Sequence, residues 1–227
     1  MLFRSLATLL REPAAARLHE LTLFTWIPPM PLQVTGVGIG AFSVSWALRL
    51  DPLAAVMLLV VTGIGAVIHV YATAYMAEET PGAYARFFAY LNLFCAFMLL
   101  LVLGSNFLAL FVGWEGVGLA SYLLIGFSYT KTSAADAGKK AFLVNRIGDW
   151  GFLLGVLLAF LTFGTLDFRE IATMAAALPP GAEAATITAI CALLFVGATG
   201  KSAQLPLFRS EEHTSELQSL RHLVCRL

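Results

Sequence analysis

Residues 107–129 read FLALFVGWEGVGLASYLLIGFSY, and one carboxylate, Glu115, stands inside that apolar stretch. The run extends on both sides. From Phe87 to Thr130, about 44 residues, Glu115 is the only formally charged side chain. As continuous helix such a run is ~66 Å long at ~1.5 Å per residue. A bilayer core is about 30 Å thick, so the run predicts two crossings rather than one. An ionisable group inside a crossing is costly, and it ordinarily faces protein or water rather than lipid.

The composition agrees. Of 227 residues 59% are hydrophobic and 12% charged, with a mean hydropathy of +0.82. A soluble domain carries roughly 25% charge. The expected fold class is therefore all-α, a polytopic transmembrane helical bundle. The formal net charge is zero and no basic block is present, which argues against nucleic acid as a partner. Cys95, Cys191 and Cys225 share no short spacing, and the first two, in apolar runs, read as inert thiols. No Cys-x-x-Cys, His-Glu-x-x-His or Gly-x-Gly-x-x-Gly occurs, so no metal or cofactor site is expected within the chain.

Outward from the centre, Pro52 to Ala77 predicts a first crossing, with Asp51 as N-cap and Pro52 in the first turn. Phe87–Leu103 and Phe107–Tyr129 predict the second and third, separated by a turn at Gly104-Ser105-Asn106. Thr130–Lys140 is polar and reads as a linker. Ala141–Phe163 predicts the fourth crossing, with Asn145, Arg146 and Asp149 in its first turns. Gly164–Pro180 is expected outside the membrane, with a short amphipathic helix over about 168–178. Ala182–Phe208 holds a fifth crossing, interrupted near Lys201 and Pro206. Residues 52–208 are thus expected to form a bundle of about five helices.

Residues 21–51 fit an interfacial or extramembrane segment. Pro28, Pro29 and Pro31 read as a loop, and the alternation Phe42, Val44, Trp46, Leu48, Leu50 as a short strand. Trp26 and Trp46 suit the membrane interface. Arg86, Lys131, Lys139 and Lys140 fall on one side of the bundle and Arg49 and Arg169 on the other, which places the first side in the cytoplasm. Residues 1–20 match the rest poorly. Residues 209–227 change abruptly to polar peptide, and Arg209–Ser219 resembles the translated adapter of a sequencing library. Leu2–Ser5 resembles the opposite adapter end more weakly. No role is assigned to His213, His222 or Cys225.

Several groups could carry chemistry. Glu115 is either a structural carboxylate at a helix contact or a proton-carrying site. Burial and neighbouring charge both act on a carboxylate's proton affinity. Gly113, Gly116 and Gly118 clear space around it. Lys201 either snorkels to the interface or sits buried at a helix break, where it can load and release a proton. The Gly200-Lys201-Ser202 triplet is not a phosphate loop, because Phe195 stands where that motif needs glycine. Arg146 and Asp149, three apart, share a helical face and form a local ion pair unless Asp149 serves a charge elsewhere. Lys140 is a cytosolic anchor or part of a proton entry route. His69 is a packed histidine or a member of a water chain. Tyr71, Tyr75, Tyr90, Asn92 and Tyr122 could line the same interior.

Gly113-Trp114-Glu115-Gly116-Val117-Gly118-Leu119-Ala120-Ser121-Tyr122-Leu123-Leu124-Ile125-Gly126-Phe127 resembles the signature of the large antiporter-like subunit of respiratory complex I. Three further stretches agree in order and spacing: Arg86 to Phe94, Lys140 to Asp149, and Gly200 to Leu207. The resemblance runs from about Leu48 to Phe208. It implies that Glu115 and Lys201 form an electrostatic, proton-transferring pair, and that Arg146 and Asp149 are the family's following arginine and aspartate. It implies proton translocation coupled to electron transfer from NADH to quinone. NADH, FMN, iron–sulfur clusters and quinone would then belong to the wider complex. The implied partners are other membrane-arm subunits, above all a neighbouring antiporter-like subunit, within the bacterial inner membrane. The family's second half-channel, central lysine and lateral helix have no counterpart in these residues. What is present corresponds to most of one inverted repeat, implying a fragment inactive alone. The rival readings are a subunit of a multi-subunit cation/proton antiporter and a non-catalytic membrane scaffold.

Overall fold

The computed structural model describes residues 11–13, 17–34, 38–179, 181, 184–202, 204 and 207. The adapter-like tail, the Leu2–Ser5 stretch and Pro206 lie outside the described residues. Among the described residues a β-hairpin is followed by six helices. Strand β1 spans His19–Val34 and β2 spans Gly38–Leu50. The helices are α1 (Pro52–Tyr75), α2 (Pro81–Leu103), α3 (Phe107–Ile125), α4 (Thr132–Phe163), α5 (Phe168–Ala177) and α6 (Ala184–Lys201). All but α5 are long and apolar enough to cross a membrane.

The hairpin corrects one expectation. The Pro28–Pro31 segment is strand, paired antiparallel with β2 from His19↔Leu50 to Val34↔Gly38. Proline donates no ladder hydrogen bond and is confined to edges and bulges. In a two-stranded sheet both strands are edges, and of three register shifts between Thr22 and Met30 the last, between Ile27 and Met30, spans Pro28 and Pro29. The strand expected at Phe42–Leu50 is longer, beginning at Gly38. The hairpin is moored to the turn between α2 and α3. Ser105 N donates to Ala47 O at 3.3 Å, and Asn106 Nδ2 to Ser45 O at 2.7 Å.

The starts of α1, α2, α3 and α5 follow local capping. Asp51 accepts from Ala54 N at 2.8 Å ahead of Pro52. Asn106 accepts from Ala109 N at 2.9 Å. Asp167 accepts from Arg169 N and Glu170 N and opens α5. Two expected boundaries move. Helix α2 begins at Pro81 rather than Phe87, because Thr80 caps it and Pro81 occupies a first-turn position that needs no N–H donor. The polar linker at 130–140 is mostly helix. Thr132–Lys140 forms the first turns of α4, with Lys139 paired to Asp136 at 3.3 Å. At 32 residues α4 is ~48 Å long, so about 18 Å projects beyond a bilayer core. Asn145, Arg146 and Asp149 consequently lie in the middle of α4, not at its start.

Helices α4 and α6 share the most extensive helix–helix contact among the described residues. A Cβ on Gly148 would stand 2.9 Å from Gly200 Cα, and one on Gly197 would stand 2.6 Å from Phe152 Cβ. In a membrane, where apolar burial gives little preference for protein over lipid, such small residues let backbones approach and gain dispersion contact. A second close pair joins α2 and α3, where Gly113 meets the backbone of Leu101 and Gly116 the ring of Phe97. Phe152 centres the core with Val156 and Leu166. It stacks on Phe111 (5.9 Å) and Trp114 (4.9 Å). By contrast, α2 has no buried residue, and Leu53, Val67 and Trp150 are largely exposed.

Candidate functional site

Three membrane helices converge on the stretch that decided the fold. Helix α3 supplies Trp114 and Glu115, α4 supplies Arg146 and Asp149, and α6 ends on Lys201. The i,i+3 spacing of Arg146 and Asp149 turns both toward α3. Arg146 Nη1 forms an ion pair with Glu115 Oε2 and lies 3.7 Å from Asp149 Oδ2. The guanidinium also covers the Phe142 ring at 4.6 Å. Asp149 is buried, and its second oxygen accepts from Trp114 Nε1 at 2.5 Å. Lys201 Nζ donates to the backbone carbonyl of Trp114 at 3.0 Å and sits 5.3 Å from the centre of the indole ring.

Contacts therefore run from Lys201 to Trp114, Asp149, Arg146 and Glu115. Two formal positive charges face two negative ones. Such compensation lowers the cost of burying formally charged groups, each of which costs several kcal/mol to desolvate alone. One oxygen of Glu115 remains special. Oε1 is buried and has no hydrogen-bond partner among the described residues. A buried carboxylate oxygen in that state is a point at which a proton or a water can be received.

The sequence expectation placed Glu115 against Lys201. The structure brings both to one cluster, puts Arg146 in direct contact with the glutamate, and brings Lys201 to the cluster through Trp114. Gly118 makes that approach feasible: a Cβ there would lie 2.8 Å from Lys201 Nζ. Asn145, one turn before Asp149, is buried beside them.

The remaining candidates stand apart. His69 is on α1, where Nδ1 donates to Gly65 O at 2.7 Å and the ring approaches Phe88 of α2. Its Nε2 is buried without a hydrogen-bond partner among the described residues. Lys140 is exposed near the projecting end of α4. Tyr71 and Tyr75 stack on each other on the exposed face of α1, and Asn92 is exposed on α2, so these three do not line the interior of the described bundle. Tyr122 packs on Phe142, next to the arginine. Trp114 was not among the sequence candidates. Its signal was position: tryptophan favours the membrane interface, whereas this one sits mid-helix, where its N–H requires a partner.

Comparison with known proteins now bears on the cluster. Residues 104–209 match the family described as NADH:quinone oxidoreductase/Mrp antiporter, transmembrane. Residues 30–88 match the family described as the N-terminus of NADH-ubiquinone oxidoreductase (complex I) chain 5. NADH-quinone oxidoreductase subunit L of Mycobacterium tuberculosis is 47% identical over 202 residues, covering 89% of this chain and 29% of that protein. NADH-ubiquinone oxidoreductase chain 5 of Triticum aestivum is 50% identical over 173 residues, covering 73% of this chain and 25% of that protein. A solved structure of the Mrp complex from Dietzia sp. DQ12-45-1b superposes with a TM-score of 0.66 at 28% identity, covering 91% of this chain and 20% of that chain. The chain thus spans under a third of the length of these curated relatives. It belongs to the antiporter-like family of NADH-quinone oxidoreductase subunit L and NADH-ubiquinone oxidoreductase chain 5.

Proposed function

We propose that these residues form part of a membrane-arm subunit of NADH:quinone oxidoreductase that takes part in proton translocation coupled to quinone reduction in the bacterial inner membrane. The observation that carries this reading is the charge-balanced cluster Glu115, Arg146, Asp149 and Lys201 on three membrane helices. Arg146 lies between two carboxylates, so a change of charge on either side can redistribute it. A charge change arriving from a neighbouring antiporter-like subunit would weaken or strengthen the hold on Glu115. Lys201 would then give up or take a proton along a hydrated interior path. Moving a full charge in low dielectric is expensive, so pairing has to change as protonation changes. His69 and Lys140 are proposed as more distant members of the proton route. NADH, FMN, iron–sulfur clusters and quinone belong to other subunits in this reading. The 46–50% identities to subunit L and chain 5 favour it over a multi-subunit cation/proton antiporter.

The test uses the full-length subunit carrying this stretch, assembled in its complex. Glu115→Gln and Lys201→Ala should each lower proton translocation per NADH oxidised at unchanged complex content. Normal translocation in both variants sinks the reading and leaves the scaffold alternative.

A further inference from the structure

The indole of Trp114 carries no charge, yet its residue touches both Asp149 and Lys201. Its N–H points at Asp149 Oδ1, 2.5 Å away, while the other oxygen of that carboxylate faces Arg146. Its carbonyl, one turn before Gly118, accepts from Lys201 Nζ at 3.0 Å. A carbonyl in a helix interior is normally screened by the side chain one turn on. Residue 118 has none, and a Cβ there would stand 2.8 Å from the ammonium. The ring face adds a cation–π contact to the same ammonium at 5.3 Å. The indole cannot swing freely, because Phe152 stacks on it at 4.9 Å and 16° between planes.

We propose that Trp114 is a positioning residue that couples Asp149 to Lys201. It fixes one oxygen of the aspartate through its N–H and holds the lysine ammonium by its carbonyl and ring face. This deepens the proton-translocation reading and rests on it. The coupling has a directional consequence. Asp149 meets both the Trp114 N–H and Arg146, and Arg146 already pairs with Glu115, so a stronger hold of Glu115 on Arg146 leaves the aspartate more dependent on the indole. The indole then carries the strengthened bond, and the ammonium lying on its face meets a changed field. A rigid aromatic does this better than a flexible polar chain, because its orientation survives the charge movement around it.

The experiment compares Trp114→Phe, Asp149→Asn and the double variant in the assembled complex with the full-length subunit. Phenylalanine keeps a ring against Phe152 and leaves the backbone carbonyl in place, but it has no N–H. Expected are a roughly tenfold slower coupled turnover in Trp114→Phe, the scale of one lost hydrogen bond to a charged group, and a displaced pH profile of that turnover. Because the tryptophan acts through Asp149, the double variant should be no slower than Asp149→Asn, the signature of coupled residues in a double-mutant cycle. Glu115→Gln and Lys201→Ala run alongside. If those two impair proton transfer while Trp114→Phe keeps the wild-type rate and pH profile, or adds fully to Asp149→Asn, the positioning role is overturned and the function stands. If those two leave proton transfer intact, the function falls and the positioning role falls with it.

Discussion

Gly118→Ala separates the site from the scaffold. The added Cβ would lie 2.8 Å from Lys201 Nζ, the one contact inside 4 Å that it would make with the described residues beyond its own helix backbone and chain neighbours. Ordinary contact begins at about 3.5 Å, so the ammonium must retreat by roughly 0.7 Å or more. Retreat away from Trp114 O takes the 3.0 Å bond to roughly 3.7 Å, beyond hydrogen-bonding range. The obstructed atom is the tip of a flexible chain, so the helices need not move and the fold is kept. What is lost is a hydrogen bond to a charged group, ~1.5–3 kcal/mol, or roughly 10- to 100-fold in a step that depends on it. The control is Gly113→Ala. Its Cβ would meet backbone, Leu101 N at 2.5 Å and Cα at 2.7 Å, so α2 and α3 must separate. Overpacking of that kind costs about 1–3 kcal/mol. The assay is dye-reported proton uptake by membrane vesicles, normalised to NADH oxidation and to assembled complex. Gly118→Ala should assemble normally and translocate poorly. Gly113→Ala should assemble poorly and translocate normally per complex. Wild-type proton uptake in Gly118→Ala would refute the placement of Lys201 against this glycine.

Three stability predictions use thermal unfolding of the full-length subunit. Asn106→Ala removes the α3 cap and leaves Ser45 O without its donor in a buried turn. A loss of ~2–4 kcal/mol is expected, and Asn106→Asp, which keeps the acceptor, should lose less. Phe152→Ala opens the centre of the core and frees the face of Trp114. It should cost ~3–5 kcal/mol and lower proton uptake per complex as well. Asp51→Ala removes the α1 cap and the 3.3 Å contact with Arg49. About 1 kcal/mol is expected, with no effect on proton uptake per complex.

The crossings were legible because hydropathy and caps are local. Asp51-Pro52 states a helix start within two residues, and the structure begins α1 at Pro52. Thr80-Pro81 carries the same signal, but directly after Glu78-Glu79 a proline reads as readily as the end of one helix as the start of the next. The stretch 130–140 misled for a different reason. Polarity there reports solvent, not loop. Ala134, Ala135 and Ala137 favour helix, and the Asp136–Lys139 spacing already fitted a helical face. The hairpin was half legible. Alternation exposed β2, whereas three prolines hid β1, because a proline-bearing edge strand carries no periodic signal of its own.

The site divides along the same line. Spacing on one helix put Arg146 and Asp149 on a common face, which needs no knowledge of neighbours. Which charge meets Glu115 depends on how far apart α3, α4 and α6 stand, and glycines set that. Gly148 against Gly200 brings α6 close to α4, and Gly118 lets Lys201 in under α3. Once Lys201 reaches the carbonyl of Trp114, the indole N–H of that same residue meets Asp149 on α4. A lysine set further out would need a longer reach or a water between. The tryptophan and the glycine four residues after it therefore act together, one supplying the contacts and the other the room for them. Restoring bulk at 118 and removing the N–H at 114 should impair the same transfer by different routes, the first by displacing Lys201 and the second by releasing Asp149.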